Sequence, residues 1–127
     1  MLHTDITDSI LKAFYKVYNV LGYGFLEKVY ENAMRIELIG MGLFVEQQKN
    51  IKVYYESVQI GDYYADLLVN NLVIVELKAA GALCEEHEAQ LLNYLRATNI
   101  EAGLLKNFGK EPEFKRKIFT NNNNKIV

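Results

Sequence analysis

Over roughly residues 5–40 apolar positions recur at three- and four-residue intervals, and beyond Gly42 they begin to alternate, so the chain divides into a helical and an extended part. Ile6, Ile10, Phe14, Val17 and Leu21 predict an amphipathic helix over 5–20, with Thr4 or Asp5 placed to cap it. Gly22-Tyr23-Gly24 interrupts it, and Leu26, Val29, Ala33 and Ile36 form the stripe of a second helix over 25–40, ended by Gly40 and Gly42. Ile51, Val53 and Tyr55 then alternate with Lys52, Tyr54 and Glu56 as a half-exposed strand, with 43–48 as its partner. A turn at Gly61-Asp62 leads into a strand over 63–69, and Asn70-Asn71 turns the chain into another over 72–78. Both are apolar almost throughout, as central strands covered on both faces are. Past Gly81 a third helix spans 85–97, with Glu85, Glu86 and Glu88 in the first turn, where the helix dipole favours negative charge. Residues 102–106 read as a further strand, and Phe114, Ile118 and Phe119, after Pro112, as a last amphipathic turn or helix. Four asparagines mark 121–127 as a flexible tail. The order helix, helix, four strands, helix, strand, helix predicts an α/β fold in three layers: a central mixed sheet flanked by helices on both faces, in one domain over 1–120.

Composition narrows the class. The chain has 127 residues, half of them hydrophobic, enough for one domain with a real core. Lys and Arg total 14 against 16 Asp and Glu, a formal net charge of -2, which argues against a uniformly basic coat protein and leaves room for a local basic patch. With one cysteine, Cys84, no internal disulfide can form, and a reducing, cytoplasmic setting fits. Cys84 itself reads as a small, semi-buried residue. No basic region followed by an apolar run opens the chain, and no apolar run approaches the ~20 residues that span a bilayer, so neither a signal peptide nor a membrane partner is expected.

Chemistry concentrates where the central strands end. Asp66 lies in one, and Val73-Ile74-Val75 runs straight into Glu76-Leu77-Lys78 in the next. Burying unpaired charge is costly, so charges at the end of apolar strands call for a reason. Two acids can hold a divalent cation, and a lysine beside them can position an anion or a water. A Glu-Lys pair on an exposed strand end is the alternative. Glu76 and Lys78, two apart, share a face. Asp66 joins them only if the hairpin is offset: a two-residue turn sets it opposite Val75, whereas a three-residue loop or a bulge sets it opposite Glu76. His87, Gln90 and Tyr94 line one stripe of the third helix. Glu27 and Tyr30 sit one turn apart on the second, where dipole stabilisation alone could account for Glu27.

Gly24-Phe25-Leu26-Glu27-Lys28-Val29-Tyr30 reads as GxxExxY. Together with Tyr64-Ala65-Asp66-Leu67-Leu68-Val69, Glu76-Leu77-Lys78, His87 to Leu95 and Asn107-Phe108-Gly109, it makes the chain closely resemble the GxxExxY protein family, a group within the PD-(D/E)XK nuclease superfamily, from about residue 5 to 119. The resemblance implies a restriction-endonuclease-like core. Asp66 would be the first acid, and Glu76 and Lys78 the E-x-K; Gln90 and Tyr94 resemble the Q-x-x-x-Y motif of the RecB-like branch. Glu27 would be the assisting helix acid, and Tyr30 and His87 possible accessories. It implies a Mg²⁺ site (Mn²⁺ may substitute) formed by Asp66, Glu76, the Leu77 carbonyl and Glu27, and hydrolysis of phosphodiester bonds in DNA, with RNA and a homodimer left open. Ala65 stands where the name motif has proline, and Lys106 where an apolar strand residue is usual. Lys106, Lys110, Lys115, Arg116 and Lys117 form a C-terminal basic cluster that could engage a nucleic-acid backbone or simply be solvated. The alternative function is a weak or inactive nucleic-acid- or partner-binding module on the same fold.

Overall fold

The computed structural model describes residues 2–127. The elements are α1 (Thr4–Leu21), α2 (Glu27–Gly40), β1 (Val45–Tyr55), β2 (Val58–Val69), β3 (Val73–Lys78), α3 (Glu85–Arg96), β4 (Ala102–Phe108) and β5 (Pro112–Ile118). The five strands form one sheet in chain order, antiparallel except for the parallel pair β3 and β4, which α3 connects. Such a crossover needs an intervening helix, and this one lies on the opposite face of the sheet from α1 and α2. The expected α/β architecture, a mixed sheet covered on both faces, is therefore present.

Each face has its own core. Ile10, Phe14 and Val17 of α1 and Tyr30, Met34 and Leu38 of α2 pack on Leu67, Val75, Leu77 and Leu104. Leu91, Tyr94 and Leu95 of α3 pack on Leu68, Ile74 and Leu105. The helix α1 uses the expected stripe, though its N-cap is His3, without a side-chain cap bond. The helix α2 does not: Leu26 is 82% and Ile36 67% exposed, and the buried row is Tyr30, Met34 and Leu38 at i, i+4 and i+8. Two apolar rows compete on this helix, and the one carrying the largest side chain takes the core, where Tyr30 stacks on Phe108 at 4.1 Å.

Further expectations are corrected, among them the turn at Gly61-Asp62: β2 runs through both residues from Val58, and the chain turns at Glu56-Ser57. Residues 43–48 are not a separate partner strand, because β1 runs unbroken from Val45 to Tyr55 and pairs with β2. The segment around Phe114 is not helical; β5 pairs with β4 and hides the edge that β4 would otherwise present. The tail expected to fray folds back on the end of α3, where Lys125 Nζ donates to the Leu95 and Ile100 carbonyls and the Ile126 N–H to that of Arg96. Among the described residues no helix is long and apolar enough to cross a membrane.

Candidate active site

The site grows from one local departure from regular sheet. Asn70 and Asn71 both adopt left-handed backbone (φ 52° and 57°), and the Leu72 N–H closes the turn on the Val69 carbonyl. Val69 pairs with Val73, Leu68 with Ile74 and Leu67 with Val75. The connection is thus the three-residue loop 70–72, and continuing the register sets Asp66 opposite Glu76. The pairing stops at Leu67 and Val75, and carboxylates take the place of carbonyls beyond it. The Asp66 N–H donates to Glu76 Oε2 at 3.3 Å, and the Leu77 N–H to Asp66 Oδ2 at 2.8 Å. The two strands part there, with the acids in the gap.

On the other side of β2 the alternation of faces also breaks. Strict alternation from Leu67 would turn Ala65 toward α1 and α2, yet Ala65 packs with Ile51 and Leu68 on the α3 face. Gln48, which the flanking pairs set opposite Asp66, is left-handed at φ 52°. Its Nε2 donates to Glu31 Oε1 at 2.7 Å and makes a long 3.5 Å contact with Asp66 Oδ1. Glu31 is only 3% exposed, and its other oxygen accepts from Lys28 at 2.8 Å and Gln47 at 2.6 Å.

Electrostatics follow from this crowding. Burial, reinforced by the neighbouring Asp66 charge and only partly offset by Lys78, pushes the Glu76 carboxyl up to about 9. Lys78 Nζ lies 3.4 Å from Gln90 Oε1, and Gln90 Nε2 donates to the Tyr94 hydroxyl at 3.0 Å, so lysine, amide and phenol form a chain down the α3 side. Burial and the two acids push the Tyr94 hydroxyl up to about 12, which keeps it neutral.

An all-oxygen pair of abutting carboxylates, one of them pushed toward its protonated form by burial and by the other's charge, fits a hard divalent cation, which retains waters for the rest of its coordination. Among the described residues no cluster of three or more His, Cys, Asp and Glu forms. Glu27 instead stands exposed at the start of α2, lining a hollow with Ala79, Ala80, Gly81 and Lys110 just past the end of β3.

Other candidates are positioned for different work. Tyr30 is buried, its hydroxyl donating to the Gly22 carbonyl at 2.7 Å and accepting from Phe25 N–H, so it anchors the loop before α2. His87 Nδ1 accepts from the Cys84 N–H at 3.2 Å and caps α3; Cys84 is exposed, not semi-buried. The basic cluster is dispersed. Lys106 is a correction: it points into the α1 face, fully buried, its amine 4.4 Å from the Phe114 ring centre and 5.2 Å from that of Phe14, out of reach of a phosphate backbone. Arg116 donates to the Leu2 carbonyl and Lys117 pairs with Glu88 at 2.8 Å, while Lys110 and Lys115 remain exposed. Neighbouring strand residues alternate faces, so contiguous basic positions do not make a contiguous patch.

Glu31 and Gln48 escaped the sequence reading, and Asn107 entered it only within the Asn107-Phe108-Gly109 motif, with no role assigned. Asn107, fully buried, accepts from Ala80 N–H at 2.9 Å and donates to its carbonyl at 3.0 Å, pinning the loop that follows Lys78. A Cβ on Gly109 would come within 2.5 Å of the same carbonyl, so the Asn-x-Gly spacing carried the signal for a close backbone approach. Glu31 left no such mark, since one more acid on a helix looks solvated.

Comparison with known proteins bears on the same segments. A solved structure described as "Crystal structure of SSO0001" is similar in fold, with a TM-score of 0.57 and 16% identity over 74% of this chain and 50% of that one. This chain therefore spans about half the length of that relative. No curated protein matches. The family model described as PD-(D/E)XK nuclease superfamily matches residues 4–117, which takes in α1 through β5 up to Lys117 and every residue of the acid pair and its lysine; the chain belongs to that superfamily.

Proposed function

We propose that the chain is a Mg²⁺-dependent nuclease hydrolysing phosphodiester bonds in DNA. The observation that carries this is the pair Asp66 and Glu76, held together where β2 and β3 part, with Lys78 on the same face. Asp66, Glu76 and the Leu77 carbonyl would hold the ion, with Glu27 assisting from the rim. A divalent ion there supplies positive charge to the scissile phosphate and acidifies the attacking water. Lys78 orients that water and stabilises developing charge, and Gln90 holds the Lys78 amine at 3.4 Å. Tyr94 supports Gln90 from below with a hydroxyl that stays protonated. Mn²⁺ would substitute, and the GxxExxY motif would act through the turn that Tyr30 anchors.

The test is cleavage of single- and double-stranded DNA with Mg²⁺ or Mn²⁺ by wild type, Asp66→Ala and Lys78→Ala. Metal-dependent cutting should fall by about 10²–10⁴ in both variants. Cutting that survives in both would remove the site. The absence of a third clustered acid among the described residues favours a second reading, a binding module that turns over little. A wild type that binds DNA, cuts nothing and shows no Mg²⁺ heat in calorimetry would establish it.

A further inference from the structure

A groove of about 700 Å³ opens between α3 and the distal half of the β1–β2 hairpin. Its walls include Val53, Ile60, Tyr63, Gln90, Asn93 and Tyr94. Gln90 and Tyr94 thus belong both to this groove and to the chain of contacts that ends on Lys78. Two residues of the groove wall are thus one or two hydrogen bonds from Lys78.

The lining chemistry identifies the occupant. No lysine or arginine contributes to it, and the carboxylate present, Glu86, would repel a phosphate. A sugar-phosphate backbone therefore finds no lysine or arginine here, only the His87 imidazole, whose Nδ1 is already engaged by the Cys84 N–H. Tyr63 stands 49% exposed, and its ring centre lies 5.9 Å from that of Tyr94 at an interplanar angle of 48°. The Tyr63 ring is braced across Gly61, where an added Cβ would come within 2.9 Å of it. Aliphatic walls complete the cavity, and the Asn93 and Gln90 amides offer donors and acceptors at its rim. Aromatic faces, apolar walls and amides, with no lysine or arginine among them, suit a flat heterocycle with hydrogen-bonding edges.

We infer that this groove seats an unpaired nucleobase next to the scissile phosphate, so that the substrate is single-stranded or frayed DNA. The inference rests on the nuclease reading above and sharpens it. Bases inside a duplex are stacked and paired, and cannot present a face to Tyr63 without being turned out at a cost of a few kcal/mol. A single strand offers its bases freely, and stacking on an aromatic side chain tolerates any base.

Two variants and three probes test this. Tyr63→Ala removes the stacking face. Ala89→Trp, at an exposed helix position lining the groove, fills the space from the other side without touching the core. Fluorescence anisotropy in Ca²⁺ compares a labelled single strand, the matching blunt duplex and the same strand carrying abasic sites; circular dichroism checks the fold of each variant. Wild type should prefer the single strand over both other probes, and each variant should reduce that preference about 5- to 100-fold. The inference is overturned by equal binding of abasic and base-bearing strands, by a duplex preference, or by variants that leave the preference intact. If Ala89→Trp instead converts a dimer to a monomer in sedimentation, the groove belongs to a second copy of the chain. Should none of the three probes bind, the nuclease reading itself falls; single-strand binding indifferent to both variants would retire only the groove.

Discussion

Gln48 adopts a backbone conformation that a residue with a side chain enters at a cost of about 1–2 kcal/mol. It lies opposite Asp66, and its amide ties the buried Glu31 carboxylate to that acid. The strain is explained if holding Asp66 matters more than the backbone's comfort. Gln48→Gly separates the two effects, because glycine takes this φ freely but carries no amide. The variant should melt within a few degrees of wild type or above it and, if Asp66 is a metal ligand as proposed, bind Mg²⁺ about 10-fold more weakly in calorimetry, as loss of a ligand's outer partner does. Unchanged metal affinity would reduce Gln48 to a surface residue with an odd dihedral. Glu31, which Gln48 bridges to, could not be singled out from sequence, since its role depends on three donors arriving from Lys28, Gln47 and Gln48 in the fold.

At the scale of elements, the β2–β3 hairpin sets the site's register. Asn70 holds a left-handed φ, accepts the Phe44 N–H on its side chain at 2.8 Å, and donates its own N–H to the Phe44 carbonyl. Asn70→Ala should cost about 2 kcal/mol in chemical denaturation, the sum of a disfavoured φ and a lost hydrogen bond, while Asn70→Gly costs about half as much. Equal losses would show that the turn's φ is not what matters. The same hairpin marks how far sequence reaches. Apolar runs and the Asn-Asn turn located both strands, and the alternative registers were countable, but choosing between them needed the loop's actual length of 70–72. Elsewhere the local signal misled. Phe114 and Ile118 have helical spacing, yet the open edge of β4 draws them into β5. Lys106 stands in an apolar strand, yet only the fold brings Phe14 and Phe114 over its amine, so its sequence neighbours leave a surface cation and a buried one equally open.

For the molecule as a whole, two buried ionisable groups on opposite faces of the sheet set how stability varies with pH. Glu76 is raised from 4.5 to about 9 by burial and by Asp66, so between those values the folded protein keeps a proton that the unfolded chain has lost. Stability therefore falls as pH rises, by at most about 1.4 kcal/mol per pH unit. Lys106 is lowered by burial from 10.5 to about 7, and its amine has no hydrogen-bond partner among the described residues. Between those values the unfolded chain holds the extra proton, and stability rises with pH by the same rule. The two slopes together predict a decline from about pH 5 to 7, a near-level stretch from 7 to 9 where they cancel, and a rise above 9. Lys106→Met, which fills the same apolar space without charge, should be most stabilising below pH 7 and should extend the decline to pH 9. If Asp66 and Glu76 hold Mg²⁺ as proposed, saturating Mg²⁺ should abolish the decline in both proteins, since binding would require the Glu76 carboxylate and release its proton. Urea denaturation of both proteins from pH 5 to 9.5, with and without Mg²⁺, reads all four curves. Parallel curves for wild type and Lys106→Met would show that the buried amine does not titrate with folding. A Mg²⁺-independent decline would show that the ion does not bind the acid responsible, which counts against a metal site between β2 and β3.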